Sequence, residues 1–443
     1  MFESQTLDQI TLRQITKIKT MISELTKQGL IAQVTHPEEL EHHLEQKKRG
    51  CYLGIDPTAP SLHVGHLVTL RLAKKLQQAG HKIIIVLGSA TALIGDPSGK
   101  SQVRNTLDPS FIASNITSLK QQLPRWLDFS EPSRGEILLN SHWINNISYL
   151  DFLQDVARHF SVNRMLTAEC YKHRLSTGLS FLEFNYMLLQ SYDFYHLFRH
   201  HNVSVQLGGD DQWSNMLGGV DLIRRTVSGQ AYALTTPLLV NQHGEKMGKT
   251  QQGALWLDAE KTPIFDFFQY WRNIDDPSVV PCFKLLTDHD TKSIESLSST
   301  ELSEQINSYK ILLATLITSS VFGEEATKKV RDATSTLYQK IKQGETKTLL
   351  PADVDTIRKI TPPLILPSSH INDQKDVSIG ELLVIAKVVN SKKEARRLID
   401  QGGLEISGVP CNDPTTRVSC QDIRTKGVLI KKGKKSYYLL KFS

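Results

Sequence analysis

The sequence predicts an α/β fold, in which an open parallel sheet is followed by an α-helical region and a small α+β module. The first observation is a βαβ pattern. The apolar strand "CYLGI" (51–55) precedes a helix, and "KIIIVLG" (82–88) is a continuous β-branched run, typical of a parallel strand buried on both faces. The second observation is that basic charge is concentrated near the end of the chain, which indicates a separate module there.

The composition indicates a globular protein of about three domains. The chain has 443 residues, of which 40% are hydrophobic and 22% are charged, and its mean hydropathy is −0.26. No apolar run reaches the length of a membrane span, so no membrane partner is expected. The start of the chain lacks the pattern of a signal or transit peptide. The five cysteines form no CxxC pair, and we therefore expect reduced thiols and a cytoplasmic location.

Patterns along the chain predict five segments. Residues 1–48 read as a helical leader, 49–258 as the sheet-bearing domain, and 259–345 as a helical domain. Residues 346–376 include the Pro/Ser-rich stretch "TPPLILPSSHINDQ" and are predicted to form a linker. Residues 377–443 form the basic module.

Within the sheet-bearing domain, the helix after the first strand is predicted to begin with Ser61 as its N-cap. It runs to about Ala79, and Gly80 ends it. A further strand is predicted at 203–207, and the segment of about 110–180 is predicted to be a helical insertion. A right-handed crossover places the start of the helix at the carboxyl edge of the sheet, where open α/β folds bind ligands.

The terminal module accounts for the positive charge of the whole chain. The formal net charge is +6, but residues 377–443 alone contain 13 basic and 6 acidic residues, a net charge of +7. Two basic clusters stand out in it: Lys392, Lys393, Arg396 and Arg397, then Lys431, Lys432, Lys434 and Lys435. Clusters of this kind favour a polyanionic partner such as a nucleic acid.

Two histidines flank a glycine in "HVGH", at the predicted start of the helix after the first strand. Zinc usually needs three protein ligands, and no third His or Cys lies at a suitable spacing nearby, so a metal site is disfavoured. An ordinary pair of histidines at a helix start is a second interpretation. The third is a nucleotide site, because His63 and His66 share a face where backbone N–H groups attract anions, and Gly65 admits a flat ring.

The stretch "GDPSGKS" (95–101) resembles a P-loop but lacks its spacing, since the position five before Gly99 is Ile94. This argues against a P-loop phosphotransferase. A simple turn is one interpretation, and a mobile loop from which Lys100 and Arg104 reach a polyphosphate is the other.

The stretch "EKMGKT" (245–250) places two lysines and a threonine around Met247 and a glycine. A solvated charged loop is the simple interpretation. The alternative is a glycine-hinged loop that closes over a triphosphate and neutralises its charge.

The segment "FLEFNYMLLQSYDFYHLF" (181–198) is apolar nearly all round, and it is predicted to be a buried helix. Tyr186, Gln190 and Asp193 fall on one narrow face of this helix. Buried polar groups need partners, so these three side chains either satisfy one another or line a pocket for a small polar molecule.

Together these motifs resemble a known family. "HVGH" is similar to the HIGH signature and "KMGKT" to the KMSKS loop of class I aminoacyl-tRNA synthetases. "YLGIDPT", "GDPSGK", "YMLLQSYD" and "GGDDQW" between them resemble bacterial tyrosyl-tRNA synthetases specifically, and the tail (378–408) resembles the RNA-binding domain named after ribosomal small-subunit protein four. The resemblance covers nearly the whole chain from about residue 40.

The resemblance implies a Rossmann-like catalytic domain, with a helical insertion, that uses ATP with Mg²⁺ to activate L-tyrosine as tyrosyl-adenylate. The tyrosyl group then passes to the terminal adenosine of tRNA(Tyr). It also implies a homodimer, with the insertion as the interface. In one position the chain departs from the family, because Asp210 of "GGDDQW" stands where family members usually have Ser.

The resemblance also implies roles for the matching residues, with no resident metal site. Phosphate charge would be stabilised by His63, His66, Thr58, Lys246, Lys249, Thr250, Lys100 and Arg104. ATP would be bound by Gly54, Asp56, Gly65, Gly209, Asp211, Gln212, Met247 and Lys249. Tyrosine would be bound by Tyr52, Asp96, Tyr186, Gln190, Asp193 and Gln206. The tRNA would be bound by Lys392, Lys393, Arg396, Arg397, Lys431 and Lys432.

Two alternatives stay open at this point. A tryptophanyl-tRNA synthetase would use the same chemistry, but the Tyr52 and Asp193 pair favours a phenol over an indole. A splicing or regulatory RNA-binding factor derived from a synthetase would keep the fold without ligase activity, but the intact histidine and lysine pairs argue against it.

Overall fold

The computed structural model describes residues 21–98, 108–250, 253–342, 363–366, 376–433 and 436–442. The chain divides into two units. The first unit comprises Met1–Ala254 and Val280–Thr291, and the second comprises Leu255–Val279 and Lys292–Ser443. The segment boundaries predicted from the sequence stay predictions.

A six-stranded sheet forms the centre of the first unit. Its strands are β1 (Gln33–Val34), β2 (Gly50–Ile55), β3 (Lys82–Leu87), β4 (Gly135–Leu139), β5 (Val203–Gly209) and β6 (Tyr232–Thr236). They lie in the order β1-β6-β5-β2-β3-β4; β2 to β6 run parallel, and β1 pairs antiparallel with β6. The predicted α/β class with a parallel sheet is confirmed, and the carboxyl ends of five strands meet at one edge.

The β-branched run predicted as a buried strand is β3, whose residues Ile83, Ile84 and Ile85 have no exposed surface. Helices pack around the sheet or extend from it. In the first unit they are Met21–Lys27, Pro37–Gln46, Val64–Gln78, Thr91–Ile94, Pro109–Gln122, Ser141–Ile144, Tyr149–Asp155, Val162–Leu166, Glu169–Leu175, Phe181–Phe184, Tyr186–His201 and Trp213–Val227, and Val279–Leu286 begins at the boundary. A short pair, β7 (Lys249–Thr250) and β8 (Gly253–Ala254), completes this unit.

Two local predictions are wrong, and a third is incomplete. The segment of about 110–180, predicted to be a helical insertion, is largely helical but also contains β4, which pairs with β3 and is only half-buried. Ser61 does not cap the following helix, because its hydroxyl donates to Gln122 Oε1 at 3.1 Å and the helix begins at Val64. The predicted buried helix 181–198 is broken into two, and Phe181 at its start is 73% exposed.

The leader and the helix end are partly as predicted. The leader contributes two helices in its described part, but it also supplies β1 at the edge of the sheet. Residues 1–20 lie outside the described residues. Gly80 follows the last turn of its helix with φ of 97°, a left-handed conformation that favours glycine, as predicted for the residue that ends it.

The second unit contains long helices and a small mixed module. Its helices are Ile264–Arg272, Lys292–Glu295, Ser299–Phe322, Glu324–Lys342, Ile379–Ile385, Lys392–Asp400 and Cys420–Thr425. Its strands are β9 (Pro363–Leu366), β10 (Asp376–Ser378), β11 (Leu404–Ile406), β12 (Val409–Pro410), β13 (Arg417–Ser419), β14 (Val428–Lys432) and β15 (Ser436–Phe442). The predicted linker therefore includes a strand, since β9 pairs parallel with β15.

Within the ranges given above, none of the helices is long and apolar enough to cross a membrane.

Candidate active site

A cavity of about 660 Å³ opens at the carboxyl edge of the sheet in the first unit. It lies between the ends of β2, β5 and β6 and the start of the helix Val64–Gln78, which is the position at which open α/β folds bind ligands. Most of the residues predicted to bind ATP and tyrosine line it: Tyr52, Gly54, Asp56, Thr58, His63, Gly65, His66, Asp96, Tyr186, Gln190, Asp193, Gln206, Gly209, Asp211, Gln212, Lys246 and Met247.

The two histidines form the cap of the helix that begins at Val64. His63 is the N-cap, and its Nδ1 accepts a hydrogen bond from the N–H of Gly65 at 3.1 Å. His66 Nδ1 accepts from the N–H of His63, also at 3.1 Å, which closes a capping box. The two interpretations of this pair are therefore compatible, because the rings cap the helix and also line the cavity.

These hydrogen bonds determine how the histidines can act on a ligand. Burial lowers the pKa of His63 to about 4 and that of His66 well below its usual range, so both rings are neutral at pH 7. Because each Nδ1 accepts a hydrogen bond, the proton of each neutral ring lies on Nε2. The pair can thus donate hydrogen bonds to a phosphate without carrying positive charge.

Gly65 is also required by the His63 ring. A Cβ at this position would lie 2.9 Å from Cε1 of His63, and Gly65 lines the cavity, so its predicted contact with a flat ligand stays a prediction. Gly54 fits the prediction better, because a Cβ there would meet no atom closer than 3.9 Å and the residue faces the cavity.

A buried polar cluster forms one wall of the cavity. Asp193 is 5% exposed, and Tyr52 is 1% exposed. One carboxylate oxygen of Asp193 accepts a hydrogen bond from Trp143 Nε1 at 2.7 Å, and the other accepts from Asn140 Nδ2 at 3.1 Å. Each oxygen keeps a second lone pair for a ligand.

Asn140 and Trp143 were missed by the sequence analysis. Asn140 follows β4 directly and has no exposed surface, and Trp143 lies in the short helix that comes next. A strand prediction over "EILL" would have placed Asn140 at the carboxyl edge of the sheet, where ligands bind. Trp143 has no comparable sequence signal.

Three buried polar atoms at this wall lack a hydrogen-bond partner among the described residues: Tyr52 Oη, Gln190 Oε1 and Gln206 Oε1. Unpaired buried polar groups are rare in folded proteins because each costs about 1–3 kcal/mol. Their grouping around one cavity indicates a polar ligand that supplies the missing partners. Burial raises the pKa of the Tyr52 hydroxyl well above its usual range, so it stays protonated and can donate.

Two more carboxylates lie further along the cavity. Asp56 accepts hydrogen bonds from Thr91 Oγ1 at 2.8 Å and from the Tyr186 hydroxyl at 3.0 Å. Asp96 accepts from Gln212 Nε2 at 2.7 Å and from the N–H of Ser98 at 2.9 Å. Both carboxylates line the cavity, where their negative charge can act on a polar or positively charged group of a ligand.

The loop that contains Lys246 and Gly248, here called the lysine loop, lines the cavity. Val240 pairs with Lys246 in an isolated bridge, and Gly244 and Gly248 have φ of 75° and 80°. Lys246 Nζ lies 2.7 Å from Asp211 Oδ2, and this ion pair is partly exposed. Incoming phosphates can compete with Asp211 for Lys246.

Some predicted residues lie outside the described parts of the chain. Lys100 and Arg104 fall in the segment 99–107, which the structure does not describe. The side chains of Lys249 and Thr250 are not described either, although their backbone forms β7. Their predicted roles stay predictions. In the described parts of the chain, no group of three or more His, Cys, Asp or Glu side chains could hold a metal ion.

The predicted RNA-binding residues differ in their availability. Lys392, Lys393, Arg396 and Arg397 are all exposed on the helix Lys392–Asp400. Lys431 instead forms an ion pair with Glu405, in which both side chains are mostly buried, and Lys432 donates to the carbonyl of Val388 and lies 3.5 Å from Glu394.

For tyrosine, the ligand that the motif resemblance implies, we expect the affinity to fall as the pH drops below about 7. Burial raises the pKa of Asp193 to about 7, so the carboxylate that would accept the phenolic hydrogen bond is lost below that pH. His63 and His66 stay neutral across this range. Titration calorimetry from pH 8 to 5.5 should show up to about tenfold weaker binding per pH unit below 7. The variant Asp193→Asn should show weaker binding without this pH dependence, and a flat profile in the unmodified chain would contradict the role of Asp193.

Comparison with known proteins agrees with this fold. Residues 44–339 match the family model described as "tRNA synthetases class I (W and Y)", which is more than half of the chain. The chain therefore belongs to the class I tRNA synthetases of this group, and the family predicted from its motifs is confirmed. Residues 365–440 match a second model, described as "Tyrosine--tRNA ligase SYY-like C-terminal domain".

The relatives point to one member of the group. A protein of Clostridium beijerinckii named tyrosine–tRNA ligase is 46% identical over 94% of this chain and 98% of its own length. One of Clostridium botulinum with the same name is 45% identical over the same shares. Among solved structures, a C-terminally truncated mitochondrial tyrosyl-tRNA synthetase of Aspergillus nidulans is 27% identical with a TM-score of 0.61, covering 71% of this chain and 93% of that chain.

Proposed function

We propose that the chain is a tyrosine–tRNA ligase, which activates L-tyrosine with ATP and transfers it to the 3′-terminal adenosine of tRNA(Tyr). The buried pair of Tyr52 and Asp193 carries this proposal. A phenolic hydroxyl placed there can donate to Asp193 and accept from Tyr52, whereas phenylalanine would leave the Tyr52 hydroxyl without a partner and add no donor to Asp193. The names of the relatives support tyrosine over the tryptophan alternative and over an RNA-binding factor without activity.

The first reaction requires the carboxylate of tyrosine to attack the α-phosphate of ATP, with pyrophosphate as the leaving group. The substrate supplies the nucleophile, so the protein contributes positioning and charge stabilisation. Asp96, Tyr186 and Gln190 would hold the α-ammonium, and Asp56, Asp211 and Gln212 would hold the ribose and adenylate. His63, His66 and Lys246 would act on the phosphates that leave.

Magnesium would enter with ATP. The described residues contain no group of three ligands for it, and Mg²⁺ is commonly held mainly by substrate phosphates and water. All five cysteines are buried and free, which supports the proposed cytoplasmic location.

Exchange of pyrophosphate into ATP tests the proposed function. Run with each of the twenty amino acids, the chain should give rapid exchange with tyrosine and none above background with the others. The Tyr52→Phe variant should bind tyrosine more weakly, because the phenolic oxygen loses its donor. Exchange with tryptophan and none with tyrosine would overturn the assignment.

A homodimer is proposed through the predicted insertion of about 110–180 and the residues that directly follow it. This part of the first unit exposes large apolar side chains, among them Tyr149 at 64%, Leu150 at 67% and Phe181 at 73%. Exposed apolar side chains concentrated in one segment favour an interface there. Sedimentation should give twice the chain mass of 49.9 kDa at micromolar concentration. We expect the Phe181→Asp variant to sediment as a monomer. The Val409→Asp variant, changed at an exposed apolar position of the second unit, should remain a dimer. A monomeric active enzyme would rule the dimer out.

A further inference from the structure

The side chain of Asp210, the position predicted to depart from the usual family pattern, does not face the cavity. Gly208, Gly209, Asp211 and Gln212 line the cavity, but Asp210 between them is not among the lining residues. Its Oδ1 instead accepts a hydrogen bond from Gln33 Nε2 at 2.7 Å and another from Thr235 Oγ1 at 2.9 Å. The extra carboxylate is therefore directed at the leader strand β1 and at β6.

These three residues form a closed ring of hydrogen bonds. Gln33 lies opposite Thr235 in the pairing of β1 with β6, and its backbone N–H donates to Thr235 Oγ1 at 3.0 Å. The hydroxyl of Thr235, which has no exposed surface, then donates its own proton to Asp210. The side-chain amide of Gln33 closes the ring, so the turn that contains Asp210 is tied to two strands.

The same turn carries two residues of the proposed active site. Asp210, Asp211 and Gln212 form a single 3₁₀ turn. Asp211 holds Lys246 of the lysine loop at 2.7 Å, and Gln212 donates to Asp96 at 2.7 Å. A rotation of this turn would therefore displace two groups together. These are Asp211, which contacts the lysine proposed to act on the phosphates, and Gln212, which contacts the aspartate proposed to hold the α-ammonium.

We propose that Asp210 and Gln33 are positioning residues, through which strand β1 of the leader fixes the turn that presents Asp211 and Gln212. The catalytic part of this inference rests on the proposed function. A carboxylate suits the position because hydrogen bonds to a charged oxygen are about twice as strong as neutral ones. A serine there has a shorter side chain and a neutral oxygen, so it would hold the two donors less firmly.

The experiment compares Gln33→Leu, Asp210→Ala and the double variant with the unmodified chain. Hydrogen exchange of the backbone amides in residues 208–216 reports the turn directly and needs no activity. Tyrosine-dependent pyrophosphate exchange reports kcat and the KM values for ATP and tyrosine. The control is Gln28→Leu, which makes the same substitution at an exposed leader position.

In each single variant we expect faster amide exchange in residues 208–216 and about a tenfold lower kcat/KM for ATP. The kcat/KM of the double variant should be only slightly lower than that of either single variant, because both substitutions remove the same ring of hydrogen bonds. Asp210→Asn keeps an oxygen acceptor and should lose less than Asp210→Ala, and it replaces the alanine variant if that fails to fold. Gln28→Leu should match the unmodified chain.

Unchanged amide exchange in both single variants would overturn the inference, as would faster exchange with unaltered kinetics or additive losses in the double variant. If the unmodified chain shows no tyrosine-dependent exchange, the proposed function fails. The amide exchange of the turn still decides whether Gln33 and Asp210 fix it.

Discussion

Replacing His66 by alanine is expected to slow the formation of tyrosyl-adenylate by about 10²–10³-fold, the usual effect of removing one donor that stabilises developing charge. The ring of His66 is neutral, and its Nδ1 is occupied by the N–H of His63, so its Nε2 proton is the group that can act on phosphate. The affinity for tyrosine should change little, because the buried wall formed by Tyr52 and Asp193 is built from other residues. Single-turnover kinetics and equilibrium tyrosine binding measure the two quantities separately.

The structure supplies a control for this variant. Alanine removes the Nε2 proton proposed to act on phosphate and also the acceptor that caps the helix, whereas His66→Gln keeps an acceptor at the position where capping boxes carry Glu or Gln. We expect the glutamine variant to keep the melting temperature of the unmodified chain and still to form adenylate slowly. A large loss of tyrosine affinity with an unchanged rate would show that the roles are misassigned.

The sequence predicted most of the cavity because its residues follow regular patterns. Asp56 directly follows a predicted strand, and Gln190 and Asp193 share one face of a predicted helix. The positions of these residues in their elements were enough to predict that they line a pocket. Asn140 was missed because it follows β4, whose run of three apolar residues is shorter than the runs of four to eight that identify a buried strand.

Contacts between distant parts of the chain were beyond the sequence patterns. Ser61 has a strong N-cap preference, but Gln122 engages its hydroxyl from 61 residues away and His63 caps the helix instead. The direction of Asp210 depends in the same way on Gln33, which is 177 residues distant. Local propensity gives no information about such partners.

Charge counting had a similar limit in the terminal module. Its net charge of +7 drew attention to two basic clusters, but it did not distinguish exposed cations from cations paired with partly buried carboxylates. Lys431 and Lys432 lie beside Glu405 and Glu394, and a lysine paired in this way has less charge to offer a polyanion. The exposed cluster on the helix Lys392–Asp400 should therefore contribute more to RNA binding.

Replacing Lys392, Lys393, Arg396 and Arg397 together by glutamine is expected to lower the affinity for tRNA at low salt by at least about 10²-fold. Each cation that neutralises a phosphate releases counterions, so the slope of log affinity against log salt should become shallower by about three. Pyrophosphate exchange with tyrosine should be unchanged, since it does not involve tRNA, while tRNA charging falls. This design leaves the apolar contacts of the module in place, including the ring contact of Tyr437 with Phe265.

The pair Lys431→Gln and Lys432→Gln provides the matched control in the same module. Because these lysines are mostly engaged by Glu405 and Glu394, their replacement should change the salt slope by less than half as much as the helix variant, while we expect the module to melt at a lower temperature. Filter binding at several salt concentrations, exchange and charging are measured side by side on all three proteins. If the helix variant charges tRNA normally and keeps the full salt slope, these four cations form only a solvated face and the module does not bind tRNA through them.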